Sequence, residues 1–149
     1  LQFGTSCRSL PLQTTINYND LYYSDMPETT LAERFKKART LSGLTQRELA
    51  EKVGISNSAA NEIEAGYRNT LRIDTIKKLL TVLDENILLD DYHRFVLYEQ
   101  KSFMKNLLNK YGITKLCDKL KSHHSSVYRW INGEYQITRA KYEVIKQFK

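Results

Sequence analysis

Cys117, His123 and His124 are close-set side chains whose types could ligate a metal ion. Their spacing matches no zinc pattern, and a fourth ligand is not apparent. Asp90 and Asp91 are adjacent carboxylates, which read better as a solvated helix start than as an acid–base pair. No nucleophile elbow, phosphate-binding glycine loop or paired-carboxylate arrangement appears in the chain. No enzymatic activity, metal or small-molecule cofactor is therefore expected. The chemistry that remains is electrostatic. Residues 101–149 carry 11 basic and 3 acidic side chains, a net charge of +8 within a chain whose total is +6. Residues 26–100 hold 11 basic against 12 acidic groups. A charge so unevenly placed points to a polyanionic partner for the C-terminal third, most simply nucleic acid, or else to a solvated basic surface, and charge alone does not choose between them.

The elements that carry these groups follow from composition and period. The chain has 149 residues, enough for one ordinary domain or two very small ones. Its longest apolar run is Phe95-Val96-Leu97-Tyr98, far short of the about 20 residues of a membrane span. Two cysteines are too few for a disulfide framework, so a cytoplasmic setting is expected. Six Gly and two Pro favour helices. The chain opens on Leu1 and shows no helical period before Met26, so residues 1–28 read as an irregular tail. The functional protein is expected to begin near Met26, and removal of residues 1–25 to change little.

From Thr29 onward the reading is helix after helix. Thr30 with Glu33, and Thr45 with Glu48, form capping-box pairs, and Ser56 caps a third helix. Leu31, Phe35, Ala38 and Leu41 face inward on the first helix, Leu49, Ala50 and Val53 on the second, and Ile63 on the third. Ile73, Ile76, Leu79, Leu80 and Leu83 make a fourth. Residues 85–110, without Gly after residue 66 or any Pro, read as a linking helix, or two helices meeting near residue 100. After Gly112, Thr114 starts a short helix with Leu116, Cys117 and Leu120 inward. Ser122 or His123 caps the next, through Val127, Trp130 and Ile131 to Gly133, and Thr138 starts the last.

The C-terminal pattern repeats the N-terminal one at a shift of 67 residues. Leu49 falls on Leu116, Ala50 on Cys117, Val53 on Leu120, Ile63 on Trp130, Gly66 on Gly133 and Arg72 on Arg139. Such a repeat means two copies of one supersecondary unit. In it Cys117 takes the small buried place of Ala50, and Trp130 the core place of Ile63.

Residues 29–83 resemble the Cro/C1-type (XRE-like) helix-turn-helix family of phage repressors and related regulators. The resemblance is carried by Leu44-Thr45-Gln46-Arg47-Glu48-Leu49-Ala50-Glu51-Lys52-Val53-Gly54-Ile55-Ser56 and by Ile63-Glu64-Ala65-Gly66. Ala50 allows two helices to cross closely, and Gly54 can take the φ > 0 turn. The C-terminal unit is similar to the same superfamily through Ser125-Ser126-Val127-Tyr128-Arg129-Trp130-Ile131-Asn132-Gly133. It departs where Lys121 replaces the turn glycine, Ser122 replaces the Ile55 equivalent, and Gly112-Ile113 replaces Thr45-Gln46.

The resemblance implies double-stranded DNA as partner, with the third helix of each unit in the major groove. In unit one it points to Asn57 or Asn61 for adenine, Ala59 for a thymine methyl, Glu62 for cytosine N4, and Ser58 beside them. Gln46, Arg47, Tyr67 and Arg68 would hold phosphates. In unit two the outward set is His124, Ser125, Ser126, Tyr128 and Arg129, with Arg129 suited to guanine. Lys115, Lys119, Lys121, Tyr135 and Arg139 would neutralise backbone charge.

The expected fold is all-α: two small helix-turn-helix (lambda repressor-like) domains, residues 29–84 and 111–149, joined by a linking helix at 85–110 whose end the second unit uses. The expected function is sequence-specific transcriptional regulation, phage or prophage repressor-like, in a bacterial cytoplasm and at the nucleoid when bound to DNA. The alternative is a protein-interaction module, antitoxin-like or an inhibitor, suggested by Glu62, Glu64 and the acidic stretch 84–91. The residues leave open the operator, the sign of regulation, a homodimer, and whether both units bind.

Overall fold

The computed structural model describes residues 23–148, and every regular element among them is helical. Residues 1–22, most of the expected tail, lie outside the described part. Helices α1 (Leu31–Leu41), α2 (Gln46–Val53) and α3 (Asn57–Glu64) begin at Thr30, Thr45 and Ser56, as their side chains direct. The Thr30 and Thr45 hydroxyls accept from the N–H groups of Glu33 and Glu48, whose carboxylates accept back from the cap N–H groups. Each reciprocal pair satisfies donors that a helix start leaves open. Helix α4 (Ile73–Leu79) follows a loop and is succeeded by the short α5 (Glu85–Leu88).

These five helices enclose one core. Leu31, Phe35 and Ala38 of α1 pack with Leu49, Ala50, Ala60, Ile63, Ile76, Leu79 and Leu88. Burial of Ala50 at 2% exposure brings α2 and α3 close, as its missing bulk permits. The end of the tail is attached to this core. Lys37 is buried and its Nζ donates to the carbonyls of Ser24 and Met26, with Glu28 as its ion partner. Residues 24–28 therefore satisfy an α1 side chain, and of these Ser24 lies within the stretch 1–25 whose removal was expected to change little.

The expected linking helix at 85–110 is broken twice. Leu89 is extended (φ −88, ψ 134), and Asp90 restarts the chain as the N-cap of α6 (Asp91–Arg94). One π-helical turn, Phe95–Glu99, then leads into α7 (Gln100–Leu120). The wide turn inserts a residue. The buried stripe accordingly passes from Phe95 and Val96 to Gln100, Met104 and Leu107, and leaves Glu99 on the surface. Helix α7 is not continuous either. Gly112 has φ 75 and ψ 163 inside it, so residues 100–111 and 113–120 form two arms. The second arm thus follows Gly112 directly, slightly before the start expected at Thr114.

Helices α8 (His124–Asn132) and α9 (Arg139–Ile145) complete the chain, and His123 and Thr138 are their N-caps. A second core unites Tyr92, Phe95, Met104, Leu107, Leu116, Cys117, Leu120, Val127, Trp130, Ile137, Tyr142 and Ile145. It begins at Tyr92, so residues 92–110 belong to this second body rather than to a spacer.

The two bodies repeat one another more fully than a single shift of 67 conveys. Buried Leu31, Phe35 and Ala38 have counterparts in buried Gln100, Met104 and Leu107, at a shift of 69. Ser56 and His123 cap with nearly equal backbone angles, φ −72, ψ 151 and φ −70, ψ 150. After Gly66 and Gly133 the shift drops to 66, because the second loop is one residue shorter. Arg72 then corresponds to the N-cap Thr138, not to Arg139 as the uniform shift implied.

Candidate nucleic-acid interface

The α2–turn–α3 unit is held by an ion pair that the sequence pattern does not reveal. Arg39 Nε and Nη2 donate to both Glu64 oxygens at 2.9 and 2.8 Å, and Nη1 donates to the Leu44 carbonyl at 2.6 Å. The side chains are 15% and 10% exposed, so this pair is shielded from solvent. Burial pushes the Glu64 carboxyl upward, but hydrogen bonds from Arg39 and Gln46 and the charges of Arg39 and Lys36 bring it below its usual value. Glu64 is thus consumed inside the unit and is no free acidic surface. It also fixes Gln46 at the first position of α2.

Helix α3 buries Ala60 and Ile63 and turns Asn57, Ser58 and Asn61 outward, with Ala59 and Glu62 half-buried. Tyr67, Arg68 and Arg47 are exposed around it. Two of the expected contacts engage each other. Arg68 donates from Nε to Glu62 Oε2 at 2.8 Å, with Nη2 at 2.6 Å from the same oxygen. The residue expected at cytosine and one expected at phosphate are thereby paired with each other. Arg47 pairs with Glu51 one turn on, at 3.0 Å and largely in solvent.

In the C-terminal body, α8 buries Val127, Trp130 and Ile131. His124, Ser125, Tyr128 and Arg129 stand on the opposite face, with Ser126 half-buried. Trp130 is in the core, as its match to Ile63 implied. The Arg129 guanidinium lies 5.3 Å from the Tyr135 ring centroid, and Tyr135 is 59% exposed. Ser126, Arg129, Trp130, Tyr135 and Gln136 line an open cleft of about 200 Å³ at the end of this helix. Lys115 and Lys121 are exposed, and Lys121 lines a separate groove with His123 and His124.

Two expected phosphate contacts are directed elsewhere. Arg139 donates from Nη1 to Asp90 at 2.8 Å and from Nη2 to the Asn69 carbonyl at 3.1 Å, over the Tyr92 ring at 4.4 Å. It joins the two bodies rather than facing outward, because Asp90 and Tyr92 offer charge and a ring face in one place. Lys119 Nζ lies 4.9 Å from the Tyr111 ring and 4.7 Å from the Phe148 ring, which draws it away from α8. Among the described residues no His, Cys, Asp and Glu grouping fit for a metal ion occurs. Burial, with the charge of Asp118, pushes the Cys117 thiol up.

An all-α chain with a helix-turn-helix domain is the class that this fold and site define. Residues 35–88, about a third of the chain, match the model of a helix-turn-helix family, of Cro/C1 type, which supports a DNA-binding regulator. No solved structure matches the chain. No helix among the described residues is long and apolar enough to cross a membrane.

Proposed function

We propose that this protein is a sequence-specific duplex-DNA-binding transcriptional regulator, repressor-like, that uses both α3 and α8 as readers. The observation that carries the reading is the shared geometry of the two units. Helix α8 has the cap, the turn and the terminal glycine of α3, and an outward face of His124, Ser125, Tyr128 and Arg129 in surroundings of net positive charge. Side-chain donors on the first turns of such a helix can meet base edges in the major groove. Unit one supplies Asn57, Ser58, Asn61 and Gln46 to the same duplex. Occlusion of a promoter by two seated helices needs no catalytic group and no cofactor.

The protein-interaction alternative draws on the acidic stretch 84–91, and its carboxylates are largely spent internally. Asp84 caps α5, Glu85 accepts from the Tyr98 hydroxyl at 2.9 Å, and Asp90 caps α6. What remains is too small to favour a basic protein partner over DNA.

The test is selection of bound duplexes from a random pool by the full chain at near-physiological salt. Recovery of a defined motif is the expected result. Binding without any motif, lost steeply as salt rises, would leave only a basic surface and would overturn the proposal.

A further inference from the structure

Two helix-turn-helix units in one chain can be arranged head to tail or face to face, and the contacts between them distinguish the two. A head-to-tail array joins unlike surfaces, whereas a two-fold joins the same surface on each unit, so that if residue i meets j, then j's position meets i's. Four of the hydrogen bonds between the two units join the segments that follow the recognition helices. Gln136 Oε1 accepts from the Ile73 N–H at 3.2 Å, and Gln136 Nε2 donates to the Leu71 carbonyl at 3.0 Å. Arg139 Nε donates to Thr70 Oγ1 at 3.5 Å and Nη2 to the Asn69 carbonyl.

At the shift of 66 that relates α4 to α9, Thr70 corresponds to Gln136 and Ile73 to Arg139. Exchange of the two units therefore converts the Gln136–Ile73 contact into the Thr70–Arg139 contact, and both are present. The same exchange converts Arg139–Asn69 into Ile73–Tyr135, and Ile73 and Tyr135 line one cleft. The first two pairings are mates under a two-fold, and the mate residues of the third share one cleft. None of them follows from chain connectivity, since each spans more than 60 residues.

We infer that the single chain is an internal pseudo-dimer, and that it binds as a monomer to an operator of two unlike half-sites in inverted orientation at one fixed spacing. This rests on the reading of both units as DNA-binding. The two-fold sets the inversion. The unlike faces of α3 (Asn57, Ser58, Asn61) and α8 (His124, Ser125, Tyr128, Arg129) set unlike half-sites. The seam fixes the spacing. Polar contacts tie it: His93 Nε2 accepts from the Leu71 N–H at 3.1 Å, and Asp90 takes Arg139 and Arg34 at 2.8 and 3.3 Å. Ile73, at the start of α4, packs against the second core.

The experiment uses the full chain and the duplex recovered by selection. Native mass spectrometry is expected to give one chain per duplex. The motif is expected to hold two different inverted halves, with centres about one helical turn apart. Insertion of roughly half a turn, about 5 base pairs, between the halves should reduce affinity at least tenfold. Gln136→Ala should bind the uninserted site with similar affinity to the parent and lose less on insertion. Two chains per duplex, a directly repeated motif, or a single half-site indifferent to insertion would each overturn the inference while leaving DNA binding intact. Absence of any complex would overturn both.

Discussion

Lys121 takes up the left-handed turn that Gly54 makes in the first unit, with φ 47, ψ 51 against φ 75, ψ 39. Lys121 stands where the family pattern has the turn glycine, and the geometry persists without it. The lysine is the one non-glycine residue with positive φ among those described. Such a conformation costs an L-residue about 1 kcal/mol or more. The helices on either side hold it: the Lys121 N–H bonds the Asp118 carbonyl, and Lys141 Nζ reaches the Leu120 carbonyl.

Lys121→Gly should therefore stabilise the chain, by about 0.5 kcal/mol once the greater freedom of the unfolded glycine is set against the relieved strain. Gly54→Ala should destabilise it by about 1 kcal/mol, although nothing lies within 4 Å of the added Cβ. Urea midpoints of the two variants test this, and a fall in stability for Lys121→Gly would refute the strain argument.

Arg39 and Glu64 make a shielded pair, so loss of one partner leaves the other uncompensated. Arg39→Ala should cost about 3 kcal/mol. Replacement of both by Met and Leu should restore most of that loss, which a double-mutant cycle in denaturant would measure. Equal costs for the single and double variants would mean that packing, not charge, holds α1 to α3.

Asp90 carries an acid sensitivity with a definite sign. Burial raises its carboxyl, but hydrogen bonds from His93 and Arg139 hold it well below the usual carboxylate range. Glu64 is lowered as well. A lowered folded value favours the ionised form in the native state. The stabilisation is present above the unfolded carboxyl value of about 4 and is lost as pH falls through it toward the folded values. Asp90→Asn should lower stability at pH 7 and flatten its decline below about pH 4. An unchanged slope would show that Asp90 is not the group lost.

Glu62 restrains Arg68 in the closed pair. Glu62→Gln should release the guanidinium to phosphate, raise affinity for any duplex, and steepen the salt dependence by about one unit of slope. If affinity is unchanged and only base preference shifts, Glu62 is itself a base contact.

Arg129 is oriented by the Tyr135 ring. Arg129→Ala should weaken the selected site by roughly 1–3 kcal/mol and relax preference at one position. A uniform loss on all duplexes, read by competition binding, would assign it to phosphate instead.

How much of this was legible beforehand depended on the range of the interactions. The caps Thr30, Thr45, Ser56 and Thr138, the buried stripes and the repeat were all readable, because a helix is specified by neighbours three and four residues apart. Ala50 and Gly54 marked the first unit for the same reason. The break at Leu89-Asp90 and the π-helical turn at Phe95–Glu99 were not readable, since no Gly or Pro marks them and only packing of two cores demands them. Gln100 could have been found, as it occupies the stripe position of Leu31 once the shift of 69 is allowed.

The sequence by itself determined the helices, the helix-turn-helix pattern of the first unit and the concentration of positive charge near α8, for these are properties of local spacing and composition. The tertiary structure alone decided how the patterns are used. It turned Arg139 inward to Asp90, paired Glu62 with Arg68, and set Gln136 against Ile73 across more than 60 residues. Those relations join residues with no common period. They arise because buried polar groups must find partners wherever the folded chain supplies them.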